Sequence, residues 1–476
     1  MKIKIVKIEK DFKGLVIIPF LENDRTEENA IKFLDKMVTK SLFAGKKDTQ
    51  FILEDKISER VYLLIGLGKN PEYKTIKTAF RRLTAKQADL FGDNILISFL
   101  EGLDETALEA AVSGLLLGTY RLGHYKQKTG EEKDWGKVNL YIDVEFSNAE
   151  ALAIKGFKIA NAQLEAFSLV DLPPNKVTPE YLAEWAKKAG KEFGFNVKVL
   201  GRKKAEKEGL KAFLAVGQGS LKEPQFIIMK YRSEKAEKHI GLVGKGITFD
   251  TGGLNIKTAG MVHMKCDMGG AATVLGAMQL AADLQLPVNI TAIVPCVENA
   301  VDGLSFVPSD VIGSYSGKTI EIIDTDAEGR LILADGLSYL IKNFKPDSVL
   351  DFATLTGSAV GTFGYECAAL FSNDTVLSQK LQDSGMSIGE KVWPLPLWDV
   401  YKSEMDSEIA DIKNFHGKPF AGAITAAKFL EVFTESHTSW AHLDIAGTAF
   451  GDSEFAKTKH ATAFGVHLLI KLLEKI

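Results

Sequence analysis

His239-Ile-Gly-Leu-Val-Gly-Lys245-Gly-Ile-Thr-Phe-Asp250-Thr-Gly-Gly253, followed by GGAATVLGAMQLAADLQL (269–286) and VNITAIVP (288–295), is the stretch that decides the fold. HIGLVG (239–244) and VNITAIVP have strand length and β-branched content, and the apolar segment between them reads as a buried helix. Strand, loop, helix and strand in that order build an α/β sheet. Outward from this unit, FIIMKY (226–231), TIEIID (319–324) and SVLDFATL (348–355) read as further strands. Glu328–Phe344 reads as a helix with Leu331, Ala334, Leu337 and Ile341 on one face.

The same alternation, on a smaller scale, fills the first part of the chain. KIKIVKI (2–8), LVIIPF (15–20), VYLLIGL (61–67), NILISFL (94–100) and VNLYIDV (138–144) read as strands, with helical patterns at 27–40 and 104–118 between them. A long helical pattern from about Asn148 stops at Pro173-Pro174. The expectation is a smaller N-terminal α/β domain (1–147), a linking helix (148–172) and a larger α/β catalytic domain with a central mixed sheet (173–476).

The 476 residues carry 58 Lys and Arg against 62 Asp and Glu. A net charge of −4 excludes a protein whose main business is an undirected grip on nucleic acid. Three cysteines (Cys266, Cys296, Cys367) with no C-x-x-C exclude a disulfide framework and fit a reducing compartment. The opening MKIKIVKIEKDFKG reads as a strand rather than a signal peptide, and no apolar run is long enough to span a membrane.

The chemistry follows the strands. HIGLVG leads into Lys245 and Asp250, TIEIID into Asp326, Glu328 and Arg330, and SVLDFATL into Thr356-Gly357. Ligand sites in open α/β sheets lie beyond the carboxyl ends of the strands. If the three strands are neighbours, Asp250, Asp326 and Glu328 converge, with Asp267 opening the helix after the first loop. Four carboxylates in one crevice protonate, pair with Lys245, Lys257, Lys265 and Arg330, or hold divalent cations. Oxygen-rich sets suit pairs of metals about 3.5–4 Å apart. A lysine ligates a metal only when neutral, and a charged one serves a developing oxyanion; residue order alone does not divide these roles between Lys245 and Lys257. No H-E-x-x-H, P-loop or nucleophile elbow is present, Cys266 has no histidine partner in view, and His442 reads as a core histidine.

Taken together, DTDAEGRL (324–331), VGKGITFDTGG (243–253), MKCDMGGAA (264–272), DFATLTG (351–357), ADIKN (410–414), WAHLDIAGTAF (440–450) and LPPNKVTPEYLAE (172–184) resemble the leucyl aminopeptidase family. The resemblance runs from about Phe167 to the C-terminus, and its first block alone is highly specific. It implies a cytoplasmic homohexameric peptidase that removes the N-terminal residue, leucine-like by preference, from peptides. It implies two divalent ions per subunit (Zn2+ or Mn2+, with Mg2+ or Co2+ as alternatives). Asp250 and Glu328 would bridge them, Lys245 and Asp267 would complete one site, and the Asp326 side chain and carbonyl the other. Lys257 would polarise the scissile carbonyl, and Arg330 would hold a bicarbonate serving as general base toward a metal-bridging water. Met264, Thr354, Leu355 and Gly357 would line the pocket for the first side chain.

Two departures stand out: Asp324 where the family carries Asn, and a Lys257–Asp267 loop one residue short. Two other functions compete. A two-metal phosphoesterase would use a similar carboxylate cluster, but Lys257 stands almost alone as a phosphate clamp. An accessory DNA-binding role would rest on KTIKTAFRRLTAK (74–86), which reads more simply as a solvated amphipathic helix.

Overall fold

The computed structural model describes residues 1–5, 12–22, 43–99, 103–127, 133–144 and 147–476. It divides into two units, Met1–Asn161 with Ser387–Gly389, and Ala162–Met386 with Glu390–Ile476. The division falls inside one continuous helix, Ala149–Asp171.

In the first unit, β1 (Lys2–Ile5), β2 (Gly14–Leu21), β3 (Gln50–Asp55), β4 (Arg60–Gly68), β5 (Asn94–Ser98) and β6 (Asn139–Asp143) form one sheet in the order β1-β6-β5-β2-β4-β3. All neighbours are parallel except β3, which runs antiparallel at the edge. The nearly unbroken apolar runs of β2 and β4 are buried along their length, as parallel strands covered on both faces require. The helix Glu105–Leu117 falls on one of the two helical patterns read here, and the other, 27–40, lies outside the described residues. The basic run forms the helix Tyr73–Lys86, which buries Tyr73, Ile76, Phe80 and Leu83 at helical spacing.

The second unit holds a nine-stranded mixed sheet. Its strands are β7 (Asn196–Gly201), β8 (Gln225–Tyr231), β9 (His239–Gly244), β10 (Gly246–Asp250), β11 (Asn289–Asn299), β14 (Ser348–Ala353), β15 (Ala368–Ser372), β16 (Val392–Pro394) and β18 (Trp440–Asp444). A separate small sheet contains β12 (Val311–Gly313), β13 (Thr319–Glu321) and β17 (Ile412–Lys413). At the centre of the large sheet, β11, β9, β14 and β18 lie side by side and parallel. Helices Gly269–Asp283 and Gly329–Phe344 pack on opposite faces of β9. A Cβ on Gly244 would strike Gly270 and Ala271, and one on Gly241 would strike Leu340.

The strand order reverses direction between β9 and β14, and the carboxyl ends on either side of that point form the crevice. One expectation needs correcting. TIEIID does not join the central sheet: only Thr319–Glu321 pairs, and it pairs in the small sheet. Its downstream loop reaches the crevice because Asn414 holds it. The Asn414 side-chain oxygen accepts from the N–H groups of Ile323 (2.8 Å) and Asp324 (3.3 Å), and its amide donates to the Asp324 carbonyl (2.6 Å).

Candidate metal centre

Each element ends by delivering one part of the site. β9 ends at Gly244, and Lys245 follows it; β10 ends in Asp250, β11 in Asn299 and β18 in Asp444. The pairing of β10 with β11 slips between Ile247 and Asp250, which sets Asp250 opposite Asn299. The Asn299 amide then donates to Asp250 Oδ1 (2.8 Å) and to the Thr325 carbonyl (3.2 Å). Gly252, at φ +86°, turns the chain where a Cβ would sit 2.5 Å from the Asn255 carbonyl oxygen and 3.1 Å from Asp326 Oδ1. Gly329 is equally constrained: a Cβ there would lie 2.3 Å from Cε of Lys245.

Lys245, Asp250, Lys257, Asp267, Asp326 and Glu328 form one connected network. Lys245 Nζ lies 2.7 Å from Asp267 Oδ1 and 3.0 Å from Glu328 Oε1, and it donates to the Thr354 carbonyl (2.8 Å). Lys257 Nζ lies 2.8 Å from Asp250 Oδ2 and also donates to Asp326. Asp250, Asp326 and Glu328 each place a carboxylate oxygen within 4.8 Å of the others. Thr354 Oγ1 donates to Asp267 Oδ1 (2.8 Å), which ties an expected pocket residue to an expected ligand. Met264 sits in the short turn Met261–Cys266, and its carbonyl accepts from the Asp267 N–H (3.2 Å). Leu355 is half-buried against the core, and Gly357 opens the helix Gly357–Phe363. Lys265 is not part of the cluster: it donates to the Asp171 carbonyl instead.

The electrostatics are those of a site too acidic for itself. Burial raises the Glu328 carboxyl, and Asp250 raises it further. Burial likewise raises Asp267, against the pull of Lys245. Asp326 is pushed up to about 7 by burial and by Glu328 and Asp250. Burial works to lower the Lys245 ammonium, but Asp267, Glu328 and Asp250 together outweigh it and hold it above the usual lysine value. Lys257 is held up in the same way by Asp250 and Glu328.

Orphaned atoms give the fit test. Among the described residues, Asp267 Oδ2 and Glu328 Oε2 are buried with no hydrogen-bond partner, as is Arg330 Nε. Hard oxygen donors left open beside a cluster that cannot all ionise are what divalent cations complete. Arg330 is itself buried, which lowers its guanidinium to about 10, still cationic at neutral pH, and its Nη1 donates to the Asn414 carbonyl (2.7 Å). Asp324 is turned locally: its carboxylate accepts the Asp326 N–H (2.8 Å). Burial and Asp267 push the Cys266 thiol up to about 12, away from the reactive thiolate form. His442 is a core histidine, fully buried, with Nδ1 2.5 Å from Asp351 Oδ1.

Comparison with known proteins bears on the same residues. The Cytosol aminopeptidase family, catalytic domain, matches residues 165–470, and the N-terminal domain of that family matches residues 17–129. The chain belongs to the cytosol aminopeptidase family. Its members are metal-dependent exopeptidases acting at the N-terminus, and the two-domain α/β architecture described above is theirs. A probable cytosol aminopeptidase of Chlorobaculum tepidum is 46% identical over 433 residues, covering 87% of this chain and 86% of the relative. One from Chloroherpeton thalassium is 38% identical over 507 residues and covers 99% of each chain. Among solved structures, the bottromycin maturation enzyme BotP in complex with Mn superposes with a TM-score of 0.86 at 28% identity, covering 98% of this chain and 99% of that one.

Asn299, Asn414 and Asp444 also shape the site; Asn414 and Asp444 lie inside the blocks ADIKN and WAHLDIAGTAF without an expected role there, and Asn299 lies in none of the blocks. Extending VNITAIVP to its true end at Asn299 would have placed that residue level with Asp250.

Proposed function

We propose that this enzyme removes the first residue of peptides, leucine-like by preference, with two divalent cations held by the carboxylate network. Asp250 and Glu328 would be shared between the two ions. Lys245 and Asp267 would complete one site, Lys245 giving up the proton that the surrounding carboxylates otherwise hold on it, and the Asp326 side chain and carbonyl would complete the other. Divalent ions held there would supply an acidified water and Lewis-acid polarisation of the scissile carbonyl. The chain's own groups do the rest. Lys257 keeps its proton and meets the oxygen that gains negative charge. Arg330, whose buried Nε lacks a partner, holds a bicarbonate as general base. Met264, Thr354, Leu355 and Gly357 receive the first side chain.

The observation that carries this reading is the carboxylate–lysine network itself, buried except at Asp326 and Lys257, with oxygens on Asp267 and Glu328 that have no hydrogen-bond partner among the described residues. Zn2+ and Mn2+ are the ions proposed, and Mn2+ is the one bound by the structurally similar BotP. The working assembly is a homohexamer in the cytoplasm. Exposed Trp393, Trp398, Val400 and Phe420 supply apolar surface for subunit contacts.

Leucyl amides and phosphate monoesters, offered to the same purified protein with and without chelator, test the reading. Cleavage of the amide alone, abolished by chelation and restored by Mn2+ or Zn2+, is expected. Phosphate release without amide cleavage would overturn it in favour of a phosphoesterase.

A further inference from the structure

Asp444 ends β18 and is 1% exposed. Among the described residues no lysine or arginine pairs with it. Its charge is met by three donors: the N–H of Leu355 (3.1 Å) and of Ala446 (3.1 Å) on Oδ1, and the Thr356 hydroxyl (2.6 Å) on Oδ2. A buried carboxylate is costly unless such bonds satisfy it, and bonds to a charged acceptor are about twice as strong as neutral ones. Thr356 passes the constraint on, because its hydroxyl also accepts the Ala359 N–H (3.0 Å) and so caps the helix Gly357–Phe363. At the other end of the same loop, Thr354 is fastened to Lys245 and Asp267. Four consecutive residues, Thr354 to Gly357, are thus pinned at one end to proposed metal ligands and at the other to the end of a central strand.

We propose that Asp444 is a positioning residue that fixes the Leu355–Thr356 peptide and thereby sets the shape of the pocket for the substrate's first side chain. This rests on the reading that Thr354, Leu355 and Gly357 line that pocket. An asparagine at 444 cannot accept from all three donors: with its oxygen kept on the two backbone N–H groups, its N–H faces the Thr356 hydroxyl, which can take that bond on its second lone pair but loses the charged acceptor it donated to. The loop then loosens where a side chain must be gripped, while a substrate without one makes little use of the pocket.

The test compares Asp444→Asn, Thr356→Val and Thr356→Ser with wild type. For each, kcat and KM are measured on leucyl and glycyl amides, metal per subunit by elemental analysis, and binding of leucine and glycine hydroxamates by calorimetry. Asp444→Asn and Thr356→Val are expected to keep two metals and lose about tenfold or more of the leucyl-over-glycyl ratio, the size of a disturbed side-chain pocket. The loss should fall mainly on KM and on leucine hydroxamate affinity, and Thr356→Ser, which keeps the hydroxyl, should restore the ratio. An equal loss on both substrates, or loss of a metal, would overturn the proposal and leave Asp444 a structural or metal-site residue. If Asp444→Asn does not fold, Thr356→Val decides. A metal-loaded wild type that cleaves neither amide overturns the proposed function, and this inference with it. An active, leucine-selective wild type with unchanged ratios in the variants overturns this inference alone.

Discussion

Replacing Lys257 by alanine separates the two lysines, whose roles the sequence leaves interchangeable. Lys257 Nζ sits 2.8 Å from Asp250 Oδ2 and also against Asp326, with the side chain 18% exposed, while Lys245 is 3% exposed between Asp267 and Glu328. The more open lysine can reach a substrate, and the enclosed one can only serve a ligand. If Lys257 meets the developing oxyanion, its removal costs what one such donor costs, about 10²–10³ in kcat, or about 3–4 kcal/mol. KM should move little, because the interaction is made mainly in the transition state. Lys257 is a neighbour of Asp250 and Asp326 rather than a proposed ligand itself, so two metals should stay bound. The assay is steady-state kinetics on a leucyl amide at saturating Mn2+, with elemental analysis of the same sample. An enzyme that loses a metal with Lys257 would show that the two lysines have exchanged roles. A kcat within about threefold of wild type, a change of under 1 kcal/mol, would remove Lys257 from the chemistry altogether.

Other predictions follow from neighbouring contacts. Asn299→Ala takes away the amide that orients Asp250, and metal affinity should weaken about 10–100-fold with activity recovering at high Mn2+; an unaltered metal titration would count against that role. Burial pushes the Asp335 carboxyl up to about 7 although the N–H groups of Phe213 and Tyr315 bond to it. The folded state therefore holds this proton more tightly than the unfolded chain, and the stability it contributes, complete below about pH 4, is lost as pH rises to 7. Relative to Asp335→Asn, wild type should lose about 2–3 kcal/mol between pH 5 and 7; parallel denaturation curves for the two proteins across that range would refute the assignment. Asp324→Asn keeps an acceptor for the Asp326 N–H, so kcat/KM should stay within about threefold, and a tenfold change would show that the Asp324 charge reaches Arg330.

Much of this arrangement was legible in residue order. Strand content and the glycine-rich loops give the α/β architecture, because buried parallel strands leave unbroken apolar runs such as LVIIPF and HIGLVG. Asp326 and Glu328 stand out because two carboxylates and an arginine share one turn. TIEIID misleads because its apolar length is that of a strand in the large sheet, while only Thr319–Glu321 pairs, between the two outer strands of a separate small sheet. The roles of Asn299, Asn414 and Asp444 stay hidden for another reason, although the last two fall inside ADIKN and WAHLDIAGTAF. A single polar residue at a strand end looks like any solvated terminus until its partners arrive from 49, 90 and 88 residues away. Lys265 shows the reverse error: it stands two residues before Asp267 in the chain, yet it turns away to the Asp171 carbonyl.

Anomalous diffraction from crystals grown with Mn2+ tests the central claim most directly. The account predicts two peaks about 3.5–4 Å apart, both touching the carboxylates of Asp250 and Glu328, one beside Lys245 and Asp267 and the other beside Asp326. No peak in the crevice, or a single ion bound away from Asp250 and Glu328, would contradict it.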